Sequence, residues 1–195
     1  MKLQLLAATL TVTALSLGAS AWAQEAQPAP AAPAPAAPGS QVGDPAQGEI
    51  RIKLRETHGD WDVRCAPDES ECFMYQLARD QNENPVAEIN IVRLDNDSPA
   101  SAGVTILTPL GTLLRPGLSL SVDGGERRSY PFIWCDAGGC FARFALSEEE
   151  VAVYEQGTNA TLTLFSVGAP GTPVDLQLSL SGFTAAMDAL EPIPN

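Results

Sequence analysis

Residues 60–77 read DWDVRC-APDESE-CFMYQL, two short segments of alternating character on either side of a polar loop. The first segment ends in Cys65 and the second begins with Cys72. Cysteines at the facing ends of two strands sit close to the separation that a disulfide needs. The stretch therefore predicts a hairpin closed near its tip by a disulfide.

The rest of the chain after residue 60 follows the same pattern of short apolar or alternating runs between turn signals. The sequence DGG at 123–125 and the sequence DAGG at 136–139 are typical of tight turns between strands. Besides the first hairpin, the runs that predict strands are 86–94, 103–108, 118–122, 130–135, 140–146, 158–167 and 173–180. About eight short strands predict an all-β domain, a two-sheet β-sandwich, rather than an α/β fold.

Helical signals are confined to two places. Ser147 followed by three glutamates, residues 148–150, is an N-cap with acidic residues in the first turn, and predicts a short helix through Tyr154 that ends near Gly157. A second short helix is expected over residues 184–190, because Phe183, Ala186, Met187 and Leu190 share one helical face.

The four cysteines, Cys65, Cys72, Cys135 and Cys140, are an even number in a chain that also carries an export signal. Their spacing is loose for a zinc site, and the single histidine, His58, fits no zinc-ligand pattern with them. Disulfides are therefore expected, and no metal. Three connectivities are possible, and we predict the two local pairs, Cys65–Cys72 and Cys135–Cys140.

The first 48 residues predict an export signal and a spacer. Lys2 precedes an uncharged apolar run over residues 3–17, and an A-x-A motif ends at Ala23, so cleavage is expected between Ala23 and Gln24. The run is shorter than the roughly 20 residues of a membrane span, and no cysteine near the cleavage site offers a lipid attachment point. We expect a signal peptide at 1–23, a disordered Ala/Pro-rich linker at 24–48 and the β-domain at 49–195.

The charge argues against nucleic acid and anionic membranes as partners, because 24 acidic residues stand against 11 basic ones. The sequence contains no nucleophile elbow, phosphate-binding loop, zinc-protease motif or dinucleotide fingerprint. We therefore expect no cofactor and assign no catalytic residue. Paired carboxylates of a glycoside hydrolase remain an alternative, since acidic residues are scattered along the chain.

A few single residues invite a functional interpretation, and each has a plainer structural one. His58 is expected on the surface before the first long strand, and residues 95–98 (DNDS) are expected to form a turn rather than a calcium loop, because Pro99 and Ala100 follow. Trp61 and Trp134 each lie near a cysteine and are expected to pack in the core against a disulfide.

Several motifs, taken in order, resemble the invasion-associated locus B family of bacterial envelope proteins. They are residues 59–65 (GDWDVRC) with Cys72 and Gln76, residues 109–111 (PLG), Leu114, Gly117, residues 122–124 (VDG), residues 131–132 (PF), Cys135, residues 139–142 (GCFA) and residues 180–186 (LSGFTAA). The resemblance covers roughly residues 57–190. It implies a β-sandwich of immunoglobulin-like form in a Gram-negative bacterium and brings no catalytic residues with it.

The sequence and the resemblance together predict an exported, non-enzymatic binding module of the periplasm or cell surface, not a lipoprotein and without a membrane span. Its expected partner is an envelope or host-surface protein. The alternatives are a hydrolase of envelope polysaccharide that uses two carboxylates, and a structural or stress-protective envelope protein.

Overall fold

Strands dominate the structure, a computed structural model that describes residues 52–95 and 99–194. All of these residues belong to one compact unit. The predicted signal peptide (1–23), its cleavage site between Ala23 and Gln24, and the predicted linker (24–48) lie outside the described residues. So do residues 96–98 of the expected turn.

The described residues form eleven strands and two short helices, which confirms an all-β fold with little helix. The strands are β1 (Lys53–His58), β2 (Trp61–Cys65), β3 (Cys72–Arg79), β4 (Pro85–Arg93), β5 (Ala100–Thr108), β6 (Leu118–Val122), β7 (Arg128–Tyr130), β8 (Phe132–Cys135), β9 (Cys140–Ser147), β10 (Asn159–Ser166) and β11 (Ala169–Ser179). The helices are α1 (Glu148–Gln156) and α2 (Phe183–Asp188).

Period-two alternation in the sequence decides which side of each strand is buried. In β4 the side chains of Ala87, Ile89 and Ile91 are buried, while Glu88 and Asn90 between them are partly exposed. The other central strands repeat this pattern, so their apolar residues meet in one core. The largest fully buried side chains include those of Trp61 and Phe183, whose rings pack edge to face with centroids 5.4 Å apart.

The eleven strands form one antiparallel sheet that nearly closes on itself, between a sandwich and a barrel in form. Its order is β7-β6-β10-β11-β3-β4-β5-β9-β8, and β2 pairs with β3 and carries β1 at its outer edge. Because β7 and β8 are separated in sequence by Pro131 alone, the two ends of this order are neighbours in the chain.

The near closure leaves two places where the sheet divides. One edge of β3 pairs first with β2 over Cys72–Tyr75 and then with β11 at Arg79, so β2 and β11 diverge along it. At the second division, β7 pairs with β6 whereas β8 pairs with β9. Both divisions open a cleft in the surface, as described below.

The expected element boundaries need five corrections, one of which is that β11 begins at Ala169, four residues before the expected start. Sequence analysis missed β1, whose side chains are exposed and carry no alternating pattern. Pro131, which cannot donate to a ladder, splits the strand expected over 130–135 into β7 and β8. β5 begins at Ala100, three residues before the expected start, and α2 begins at Phe183 and ends at Asp188 instead of spanning 184–190. By contrast, the capping box expected at α1 is present, with Ser147 as its N-cap.

Candidate functional site: two clefts and an aromatic surface

The first division of the sheet opens a polar cleft of about 410 Å³ between β2, β3 and β11. Gln76 lies at its base, 8 % exposed, and its Nε2 donates hydrogen bonds to the carbonyl oxygens of Asp60 and Ser179, each at 3.0 Å. This amide therefore bridges β11 and the residue that precedes β2 where those strands diverge. It is a structural support for the cleft rather than a free binding group.

Three carboxylates line the polar cleft, those of Asp60, Asp62 and Glu83, and the first two are engaged by donors. Asp60 accepts a hydrogen bond from Ser179 Oγ at 2.6 Å. Asp62 accepts from Arg64 at 2.9 Å and from Thr57 at 3.0 Å. A glycoside hydrolase needs one carboxyl group that holds a proton and one that is free to act on the substrate or water. Hydrogen bonds from Ser179, Thr57 and Arg64 instead commit Asp60 and Asp62 to structural contacts.

An arginine and a tyrosine form part of the wall of the polar cleft. The Arg64 guanidinium carbon lies 3.5 Å from the centre of the Tyr75 ring, which is cation–π geometry. Partial burial, and then the charge of Glu88, raise the pKa of the Tyr75 hydroxyl. Tyr75 is thus a neutral phenol in this wall at ordinary pH.

The second division opens the seam cleft, about 310 Å³ in volume, between β6, β7 and the first turns of α1. Its base is apolar, with Leu120 and Leu146 buried and the rings of Tyr130 and Tyr154 beside them. Leu120, Leu146 and Tyr154 also line a small void in the core beneath it. At this division the interior of the sheet therefore approaches the surface.

Helix α1 is attached to the rim of the seam cleft by an ion pair. The Arg128 guanidinium in β7 pairs with Glu150 of α1, and the charge of Glu150 raises the pKa of Arg128. The other carboxylate oxygen of Glu150 accepts a hydrogen bond from the Ser147 amide at 2.8 Å and completes the capping box. One side chain thus caps the helix and links it to the sheet.

A third feature is an aromatic surface formed by the stacked rings of Trp134 in β8 and Phe141 in β9, with the exposed Ile133 next to Trp134 in the chain. The Trp134 and Phe141 rings are stacked with centroids 4.8 Å apart and an interplanar angle of 13°. Ile133 is 57 % exposed and Trp134 is 42 % exposed. The expectation that Trp134 packs in the core is wrong. β8 turns this side chain outward, and only Trp61 of the two tryptophans is a core residue.

The four cysteines lie in two pairs, one at each of two hairpins. The sulfur atoms of Cys65 and Cys72 are 2.10 Å apart, as are those of Cys135 and Cys140. The strand register places Cys65–Cys72 at the end of the sheet where β9 finishes. It places Cys135–Cys140 at the opposite end, where β9 begins. The two pairs therefore close opposite ends of the sheet.

His58, expected on the surface ahead of the strands, ends β1. Its side chain is 27 % exposed, and its Nε2 lies 3.1 Å from a carboxylate oxygen of Glu56. Among the described residues no group of three or more His, Cys, Asp or Glu side chains has a geometry that could hold a metal ion. Across residues 52–95 and 99–194, no helix is long and apolar enough to cross a bilayer.

Comparison with known proteins gives a family match over the part of the chain that carries the motifs quoted in the sequence analysis. The family model described as Invasion associated locus B (IalB) protein matches residues 61–191. The chain belongs to the IalB family. Its relatives include an invasion protein B homolog of Brucella abortus (strain 2308), 30 % identical over 140 residues that cover 71 % of this chain and 79 % of that protein. Invasion protein B of Bartonella bacilliformis is 27 % identical over 180 residues, which cover 90 % of each chain.

A solved IalB structure has the same architecture. The crystal structure of invasion associated protein B from Bartonella henselae superposes with a TM-score of 0.59 at 26 % identity, covering 70 % of this chain and 94 % of that one. These names denote invasion proteins rather than enzymes, and they carry no information on a ligand.

The residues that resemble the IalB pattern hold the fold together at points of close approach. Trp61 Nε1 and Gln76 Nε2 both donate to the Ser179 carbonyl oxygen, at 3.0 Å each. Gly139, beside the second cysteine pair, leaves no room for a side chain, because a Cβ there would lie 2.3 Å from the Thr108 carbonyl oxygen. The family pattern therefore records architectural requirements.

Sequence analysis missed both clefts and the aromatic surface. The clefts combine residues far apart in the chain, such as Tyr75 with Gln177 and Leu120 with Tyr154, and no local pattern relates such residues. The aromatic surface did have a signal, because FIWC in β8 contains three consecutive large apolar residues. An alternating strand cannot bury all three on one face.

Proposed function

We propose that this IalB-family protein is an exported, non-enzymatic envelope protein that acts by binding another envelope protein through its aromatic surface. The observation that carries the proposal is the Trp134–Phe141 stack, held on the hairpin that Cys135 and Cys140 close, with Trp134 42 % exposed. Tryptophan is among the residues most enriched at the energetic centres of protein interfaces. A stacked, preorganised ring presents contact area without a large loss of side-chain entropy on binding.

Export is the second part of the proposal. The uncharged run at 3–17 and the motif ending at Ala23 support cleavage between Ala23 and Gln24. Two cysteine pairs at bonding distance support a mature protein in an oxidising compartment, the periplasm or the cell surface. Mass spectrometry of the protein from fractionated cells tests this part, with an N-terminus at Gln24 in the periplasmic or surface fraction as the expected result.

Site-specific photo-crosslinking tests the binding surface in intact cells of the source organism. A photoreactive residue at Ile133 is expected to give a discrete crosslinked protein that is lost when Trp134→Ala is added. The matched control is Leu54, which is 59 % exposed on β1 and outside the aromatic surface. The same species from both positions, or a crosslink unaffected by Trp134→Ala, contradicts binding through this surface.

The structural alternative gives a different result in the same cells. If the protein only supports the envelope, Trp134→Ala should restore the integrity of a deletion strain as well as the wild-type chain does. A binding module predicts that this folded variant fails to do so. Circular dichroism of the purified variant provides the folding control, because truncation of an exposed ring leaves the core intact.

A further inference from the structure

The seam cleft has the size and composition of a small-molecule site. Its volume of about 310 Å³ lies at the lower end of the range of ligand pockets in proteins, roughly 300–1,000 Å³. It combines an apolar base with a few polar groups at the rim, which is the usual composition of such pockets.

The base of the seam cleft offers aliphatic and aromatic contacts. Leu120 and Leu146 are buried there, and Tyr130 and Tyr154 place two phenol rings in the same lining. Tyr130 is stacked on Phe144 with centroids 3.6 Å apart, and Tyr154 packs near Phe183 with centroids 5.7 Å apart, so other aromatic residues fix both rings. Burial raises the pKa of Tyr154, and the phenol stays neutral at ordinary pH.

The rim of the seam cleft is acidic. Three carboxylates, those of Glu126, Glu149 and Glu150, line it against one guanidinium, that of Arg128. Arg128 is engaged by Glu150 and lies 3.9 Å from Glu126. The Glu149 carboxylate has no hydrogen-bond or ion-pair partner among the described residues, and the neighbouring Arg127 is exposed and does not line the cleft.

The charge and polarity of this lining favour some classes of ligand over others. The excess of negative charge disfavours an anion. A bare metal ion needs several oxygen, nitrogen or sulfur ligands, and no such group of side chains exists among the described residues. A neutral apolar molecule would displace water from the rim carboxylates without replacing their hydrogen bonds or charge partners. An organic cation satisfies both parts of the lining, because the rim carboxylates attract its charge while its alkyl groups contact the apolar base.

We propose that the seam cleft binds a small organic ammonium ion, with its cationic group near Glu149 and the Tyr130 and Tyr154 rings and its aliphatic part against Leu120 and Leu146. The inference is independent of the aromatic surface, which lies on β8 and β9. It assigns this IalB-family chain a ligand site of a chemical class that neither its sequence motifs nor its relatives' names indicate.

Choline is a suitable probe. Its uncharged carbon isostere, 3,3-dimethylbutan-1-ol (dimethylbutanol below), is the matched control ligand. In the full chain with both cysteine pairs oxidised, choline is expected to shift the NMR signals of Tyr130 and Tyr154 saturably, with a Kd of about 1 mM or tighter. Dimethylbutanol at the same concentrations is expected to leave them unshifted. Equal shifts with both ligands, or no saturable shift with choline, would overturn the proposal.

Two charge-neutralising variants on the same helix separate this site from general surface attraction. Glu149→Gln is expected to weaken choline binding about 3- to 10-fold, since it removes the unpaired rim carboxylate. Glu155→Gln, on α1 but outside the cleft, is expected to change it by less than about twofold. Equal weakening by both variants would contradict the assignment. Tyr130→Leu provides a third test, and a folded Tyr130→Leu variant is expected to lose choline binding. If this variant does not fold, the comparison of Glu149→Gln with Glu155→Gln tests the site by itself.

Discussion

Gly59 and Gly182 face each other in two turns that pack backbone against backbone. A Cβ placed on Gly182 would lie 2.8 Å from the Gly59 nitrogen and 2.1 Å from the His58 carbonyl oxygen. A Cβ on Gly59 would lie 2.4 Å from the Ser181 carbonyl oxygen. Both glycines have positive φ, 57° and 84°, where other residues are strained. The contact joins the start of β2 to the turn before α2, at opposite ends of the domain's sequence.

We expect Gly59→Ala or Gly182→Ala to destabilise the domain by at least about 2 kcal/mol, because each adds a backbone clash to positive-φ strain. Gly124→Ala is the matched control, since Gly124 also has positive φ (72°) but nothing within 4 Å of the position that a methyl group would occupy. It should cost about 1 kcal/mol through strain alone. Urea unfolding of the three variants, at an unchanged m-value, measures the loss in the free energy of unfolding. Equal losses in all three would show that the contact between the two turns adds nothing to stability.

Gln76→Glu tests the amide that bridges the divided sheet. The substitution keeps the shape but replaces the donor of two buried hydrogen bonds by a carboxylate facing the carbonyl oxygens of Asp60 and Ser179. We expect a loss of about 3 kcal/mol in the free energy of unfolding. Gln177→Glu makes the same chemical change at an exposed position of the polar cleft and should stay within about 0.5 kcal/mol of wild type. A small effect at Gln76 would mean that water satisfies the bridged carbonyl groups.

Asp123 is expected to contribute to stability in a pH-dependent way. Its carboxylate accepts the backbone amides of Thr158 at 2.8 Å and Asn159 at 2.9 Å, and these hydrogen bonds lower the pKa of Asp123 in that order of importance. A carboxyl group with a depressed pKa in the folded state stabilises the fold above the ordinary value of about 4. That contribution is lost as the pH falls through the folded-state pKa.

Asp123→Asn should therefore lower the thermal midpoint near neutral pH, and the difference from wild type should shrink on acidification below about pH 4. Asparagine tolerates the positive φ of 47° at this position, so backbone strain does not explain the loss. Thermal unfolding at a series of pH values measures the difference. A gap that stays constant down to the acid limit would contradict the role of the ionised carboxylate.

The two cysteine pairs are expected to act as separate, local cross-links. Non-reducing peptide mapping should recover Cys65–Cys72 and Cys135–Cys140, and any mixed pair would disprove the assignment. Chain entropy assigns each short loop about 2–2.5 kcal/mol, so serine replacement of one pair should destabilise the domain by about that amount. Replacement of both pairs should produce roughly additive losses, because the pairs lie at opposite ends of the sheet and share no contact that would couple them.

Local patterns in the sequence determined the strand content, the two hairpins that carry the cysteines, the cap of α1 and the family. Each of these depends on neighbours in the chain: alternation in β4, the Ser147 cap with Glu150, and cysteines separated by a short loop. The alternation pattern failed to predict burial in strands whose successive residues do not differ in polarity. β1 is exposed along nearly all of its length, and β8 carries three large apolar residues in succession, so the burial of Trp134 was predicted wrongly.

Only the tertiary structure decided where the sheet divides and what the divisions expose. Alternation in a strand reports which face is buried, but not which neighbour its edges pair with, because edge pairing depends on backbone groups that every residue shares. The polar cleft exists because β3 changes partner between β2 and β11, which lie about a hundred residues apart in the chain. The seam cleft exists because β7 and β8 pair on either side of Pro131. The sequence by itself thus specified a disulfide-closed β domain of the IalB family, and long-range pairing produced the surfaces with which it can act.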